Sequence, residues 1–106
     1  MFQALTQYHS LLENCTFESD KPVINNLLEV GATQVKRVTL KGGTELKCHQ
    51  TSDQVLVVWL RGKASFTANG ETFIMHPGSL LEMPSGTPHG ATAETDCVFI
   101  VLKFKA

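Results

Sequence analysis

Two histidines, His49 and His89, stand in stretches whose glycines and prolines hold the backbone, so the chemistry of this chain is sought there first. A neutral imidazole can offer a lone pair to a metal ion, move a proton near neutral pH or hydrogen-bond a small ligand. In GSLLEMPSGTPH, residues 78–89, turn formers bracket a strand and the stretch ends on His89. Glycine admits turn conformations and proline presets φ, so the ring is aimed in a definite direction. The plainer alternative is a pair of pocket histidines bonded to backbone or water.

Spacing carries the argument further. The first block runs Gly43, five residues, His49, one, Thr51, three, Val55, six, Gly62; the second runs Gly78, five, Pro84, one, Gly86, two, His89, three, Ala93. Together they resemble the paired motifs of the cupin superfamily, GxxxxxHxHxxxExxxxxxG and GxxxxxPxGxxHxxxN. The match is to small single-domain, RmlC-like members of the cupin 2 type with a degenerate metal motif. The resemblance implies an all-β fold, an antiparallel double-stranded β-helix or jelly-roll barrel. Its motifs fall at 43–62 and 78–93 of one domain spanning 1–106.

In metal-binding cupins the four ligand positions correspond to His49, Thr51, Val55 and His89 here. A catalytic metal site usually needs three protein donors and an open position. Threonine's neutral hydroxyl is a poor ligand, and valine has no donor. His49 and His89 therefore remain as candidate ligands for iron, manganese, zinc or nickel, with Gln54 joining them only if the loop before its strand bulges. Glu45 shares strand parity with His49, so both are expected to face inward. Their Cα atoms would lie roughly 13 Å apart, too far for one ion. Cys48 is expected to point to the opposite face.

Two function classes follow. In one, the barrel binds a small polar metabolite, with His49, Thr51, Val55, Trp59 and His89 lining the pocket. In the other, the chain is a dioxygenase, isomerase or lyase working through a weak metal site on His49 and His89, or through the imidazoles themselves. Loss of the carboxylate favours binding. Phe66 is read as plain barrel core.

The elements that must position these residues read as strands. Leu5, Tyr8, Leu11 and Leu12 have helical spacing and predict a short amphipathic helix or turn over residues 4–13. From Val23 onward the pattern is β: VINNLLEV, TQVKRVTL, TELKCH, QVLVVWL, KASFTA, ETFIM, SLLEMP and CVFIVLKF, separated by turn formers. Asn69-Gly70 predicts a type I′ hairpin, and His76 before Pro77 predicts a surface turn. VLVVWL and CVFIVL are apolar on both faces, which an antiparallel sheet tolerates only under a second cover. Either the amino-terminal segment or a second subunit must supply it. Similar small cupins pair as homodimers, so a homodimer is expected.

Composition narrows the partners. At 106 residues, with 42% hydrophobic and 18% charged, the chain suits one globular domain and not a disordered tail. A net charge of −1 without a basic run argues against nucleic acid. No apolar stretch is long enough to cross a bilayer, and no leader pattern opens the chain, so a cytoplasmic protein without membrane contact is expected. Cys15, Cys48 and Cys97 form an odd set lacking a CxxC pair, which reads as reduced thiols. Cys97 is read as packing.

Overall fold

The chain folds into strands β1 (Val23–Val30), β2 (Thr33–Leu40), β3 (Glu45–His49), β4 (Gln54–Arg61), β5 (Ala64–Ala68), β6 (Glu71–Met75), β7 (Leu80–Met83), β8 (His89–Ala93) and β9 (Cys97–Phe104). These come from a computed structural model that describes residues 5–105. One sheet has the order β1-β2-β9-β4-β7 and the other β3-β8-β5-β6, with every pairing antiparallel. The chain alternates between the sheets, as a jelly roll does.

The core lies between the sheets. On β4, Val55, Val57 and Trp59 are buried, while Leu56, Val58 and Leu60 on the opposite face are half-buried. Trp59 stacks on Phe99 at 4.2 Å between ring centroids and meets Phe66 edge-on at 6.3 Å. Each such fully buried ring contributes about 1.5–3 kcal/mol of transfer free energy. The Trp59 indole N–H donates to the Gly62 carbonyl at 3.0 Å, so its polar edge is satisfied inside the core. Gly62 has φ +82°, and a Cβ there would lie 2.1 Å from the Asp96 carbonyl oxygen, so no other residue fits the end of the first block. The Cys97 thiol is fully buried, and burial pushes it up to about 11. It packs, as its apolar setting in the sequence implies.

Local turn chemistry lands as expected. Asn69 and Gly70 both have positive φ, 53° and 81°, which closes the β5–β6 hairpin. By contrast, β8 has no counterpart among the strands expected from patterning. Its sequence, HGATA, is small and glycine-bearing and has little intrinsic strand preference. Packing makes it a strand, because it lies between β3 and β5 and pairs with both.

Of the helix or turn expected over residues 4–13, the structure has a turn, and the helix is corrected. Residues 5–22 contain no helix, and a turn spans 11–14; Ala4, the first residue of the expected range, lies outside the described residues. Backbone carbonyls at the end of this segment bond side chains of β2 instead. The Arg37 guanidinium donates to the carbonyls of Leu11 (3.2 Å), Glu13 (2.8 Å) and Asn14 (3.2 Å), and to Asn25 Oδ1 at 3.1 Å. Thr39 Oγ1 donates to the Thr16 carbonyl at 2.6 Å. A short helix with a costly nucleus loses to these tertiary bonds. The segment thus straps the outer face of β2. The register partners of Arg37 and Thr39 on β9 are Ile100 and Val98, both buried although they point away from the core. Part of the two-sided apolar surface is covered in this way.

Candidate functional site

Inward-facing residues of both sheets line a half-open cavity of about 90 Å³. Its deepest walls are Val57, Phe66, Met83 and Phe99, all almost fully buried. Its rim holds the polar groups: His49, His89, Thr51, Lys36 and Lys103. Strand register explains how the two histidines meet. β3 pairs with β8 through Glu45↔Thr92 and Leu46↔Ala91, then a bulge, then His49↔His89. Without that extra residue His49 would turn to the other face. The two rings sit 4.2 Å apart by centroid, tilted by 58°. The bulge sits beside Gly90, where a Cβ would stand 2.8 Å from the Leu46 carbonyl oxygen and 3.1 Å from the Cys48 nitrogen. Absence of a side chain at Gly90 lets β3 come this close.

The loops before β4 and β8 are stitched together. Gly86 N–H donates to the Thr51 carbonyl at 2.8 Å, the Ser85 hydroxyl donates to the Ser52 carbonyl, and Asn69 N–H donates to the Pro88 carbonyl at 2.9 Å. These bonds fix Thr51 and His89 relative to one another. Each imidazole is oriented by its own strand. Nδ1 of His49 bonds the Lys47 carbonyl, and Nδ1 of His89 bonds the Thr87 carbonyl, both at 2.9 Å. A carbonyl only accepts, so each Nδ1 carries a proton, and in the neutral form of either ring the lone pair is on Nε2. His89 is buried and lies parallel to Phe66 at 6.0 Å. Burial lowers its pKa below the usual histidine value, and the nearby charges of His49 and Lys103 push the same way, against the opposing pull of the Thr87 carbonyl.

Of the residues expected at the site, His49, Thr51, Val55 and His89 line the cavity. Trp59 does not; it is core, stacked behind Phe99. Gln54 lies on the outer face opposite Phe104, and its amide donates to Glu82 at 3.1 Å, so it is held away from the imidazoles. Glu45 is also turned outward, because the bulge breaks the parity it would have shared with His49. Phe66, read from sequence as plain core, forms part of the cavity wall. Lys36 and Lys103 escaped the sequence reading. Their only signal is parity: Lys36 is two residues from inward Val38, and Lys103 two from Val101.

The fold recurs in known proteins. A family profile described as a cupin domain matches residues 36–103. The chain belongs to the cupin domain family. An RmlC-like cupin from Desulfovibrio desulfuricans is 28% identical and superposes with a TM-score of 0.84, covering 94% of this chain and 97% of that one. A conserved protein of unknown function from Streptococcus pyogenes is 22% identical at a TM-score of 0.83, covering 98% and 91%. A putative mannose-6-phosphate isomerase from Ralstonia eutropha is 16% identical at 0.82, covering 95% and 100%. The last two share the fold with this cupin. The curated proteins contain no match.

Many cupins hold a divalent metal at the positions of His49, Thr51, Val55 and His89, and the donor set here does not fit one. Among the described residues no group of three or more His, Cys, Asp or Glu side chains is close enough to bind an ion. Two imidazoles, one neutral hydroxyl and two ammonium groups share the cavity. Ammonium ions beside the site oppose a dication instead of ligating it.

Proposed function

We propose that this cupin binds a small polar metabolite between its sheets, without a complete set of metal ligands. The observation that carries the reading is the convergence of His49, His89 and Thr51, from three separate segments, on one apolar-walled cavity. Apolar walls with a few placed polar groups are what small-molecule sites have in common. The two Nε2 lone pairs would accept hydrogen bonds from a ligand hydroxyl or amide, and Thr51 can both donate and accept.

The competing reading is a dioxygenase, isomerase or lyase using iron, manganese, zinc or nickel. It has in its favour only the paired imidazoles and lacks a third donor. Untagged protein decides between the two: native mass spectrometry should reveal a small organic adduct that His89→Ala loses. Stoichiometric metal by elemental analysis, removed by His49→Ala, would overturn the binding reading.

We further propose that the outer face of the five-stranded sheet pairs two copies of the chain. Leu56, Val58 and Leu102 form an apolar row beside Leu80, which is 65% exposed. The strap on β2 leaves this row half-open, and a contiguous apolar patch of this kind suits an interface. Three free thiols agree with a reducing, cytoplasmic setting.

A further inference from the structure

The cavity rim has charge of one sign. Lys36 and Lys103 both line it, and no aspartate or glutamate does. Among the described residues the ion pairs are Lys21 with Glu18 and Lys63 with Glu94, so neither rim ammonium has a carboxylate partner within 4.0 Å. Register makes the two lysines neighbours: Lys36 pairs with Val101, and Lys103 lies two residues further along β9 on the same face. Such diagonal positions place Cβ atoms roughly 7–8 Å apart, within reach of a single small group for two four-carbon stems. Both lysines are half-buried at inward positions, where an apolar side chain would pack without cost. Like charges on neighbouring stems beside one cavity repel one another, and an anion between them would offset that repulsion.

We infer that the ligand is a small organic anion, its carboxylate held between Lys36 and Lys103 and its short apolar tail directed toward Phe66 and Phe99. This deepens the proposed reading of the cavity as a binding site and rests on it. The cavity's volume of about 90 Å³ suits a short aliphatic tail between the apolar walls. His89, neutral near pH 7 because it is buried, adds no competing demand for the carboxylate and accepts from any hydroxyl on the tail.

The test uses the full chain at pH 7 with two probes of equal shape, butyrate and butyramide, titrated at millimolar concentrations and followed by NMR. Butyrate should shift the His89 and Phe66 signals and bind about tenfold tighter than butyramide. Lys103→Met, which keeps the apolar stem, should abolish that preference, as should Lys36→Met in part; Lys41→Met, on an exposed turn, should change nothing. Lys103→Gln repeats the test if the methionine variant folds poorly. If butyramide binds as well as butyrate, the anion inference is overturned while the cavity stands as a binding site. If butyrate prefers the protein but ignores both lysine variants, the inference is again overturned. If neither probe shifts the cavity signals, both readings fall.

Discussion

Gly90→Ala is the substitution that most directly interrogates the geometry of the site. Gly90 lies in a strand with no positive φ to protect, so on backbone grounds alone alanine should be favourable by about 0.4–1 kcal/mol. The contact with β3 opposes this. An added Cβ would stand 2.8 Å from the Leu46 carbonyl oxygen, against an ordinary contact of 3.4 Å or more, and 3.2 Å from the Cys48 Cα. Those are backbone atoms, so β3 itself must move by roughly half an ångström, an overpacking that costs about 1–3 kcal/mol. The net expectation is a loss of about 1–2 kcal/mol. Unfolding entropy scales to about 0.2 kcal/mol/K for a chain of 106 residues, so Tm should fall by about 5–10 °C. Since the bulge that aligns His49 with His89 lies against the same atoms, the nuclear Overhauser contacts between the two rings should weaken together with stability. Differential scanning calorimetry and histidine NMR measure both. A rise in Tm with unchanged ring contacts would refute the close approach and with it the account of how the imidazoles meet.

Other expectations follow from the same structure. Arg37→Met should release the amino-terminal strap at a cost of about 2–3 kcal/mol, because water can replace the guanidinium at the exposed carbonyls but less well at half-buried Asn25; a glutamate-specific protease should then cut at Glu13 and Glu18 faster than in the parent, and equal rates would argue against the strap. Because the His89 pKa is lowered on folding, the unfolded chain takes up the proton first, so the contribution of neutral His89 is intact above the unfolded value of about 6.5 and is lost as pH falls through the lowered folded value. Urea unfolding between about pH 7.5 and 5.5 should show stability decreasing with acidity, by no more than about 1.4 kcal/mol per pH unit from this group, and His89→Gln should flatten the slope. For the proposed homodimer, sedimentation should give a mass near twice 11.6 kDa, and Val58→Glu should halve it; a parent that sediments as a monomer would refute the pairing.

Much of the architecture could be read from local rules. β1, β2, β6 and β9 match the strands expected from sequence end to end, because apolar patterning and flanking turn formers state a strand without reference to anything distant. Asn69-Gly70 is legible for the same reason: a type I′ turn makes its demand on two adjacent residues. The cavity residues His49, Thr51, Val55 and His89 were legible through motif spacing, since the blocks encode turn positions that fix where each strand begins.

Tertiary structure decided what local rules leave open. HGATA becomes a central strand because β3 and β5 supply its hydrogen bonds, not because its residues prefer extension. One bulge, invisible to a count of alternating positions, turns Glu45 outward and brings His49 to His89. Helical spacing near the amino terminus yields to Arg37, more than twenty residues away in the chain, which ties the carbonyls of Leu11, Glu13 and Asn14 to β2. Trp59 shares its parity with Val55, yet the position of Phe99 makes it core while Val55 meets the cavity. Lys36 and Lys103 look like solvated charges in sequence, and only the register of β2 against β9 places them together over one opening. Spacing along a strand is a property of the chain, whereas which strands are neighbours, and how closely their backbones approach, depends on packing the whole molecule at once.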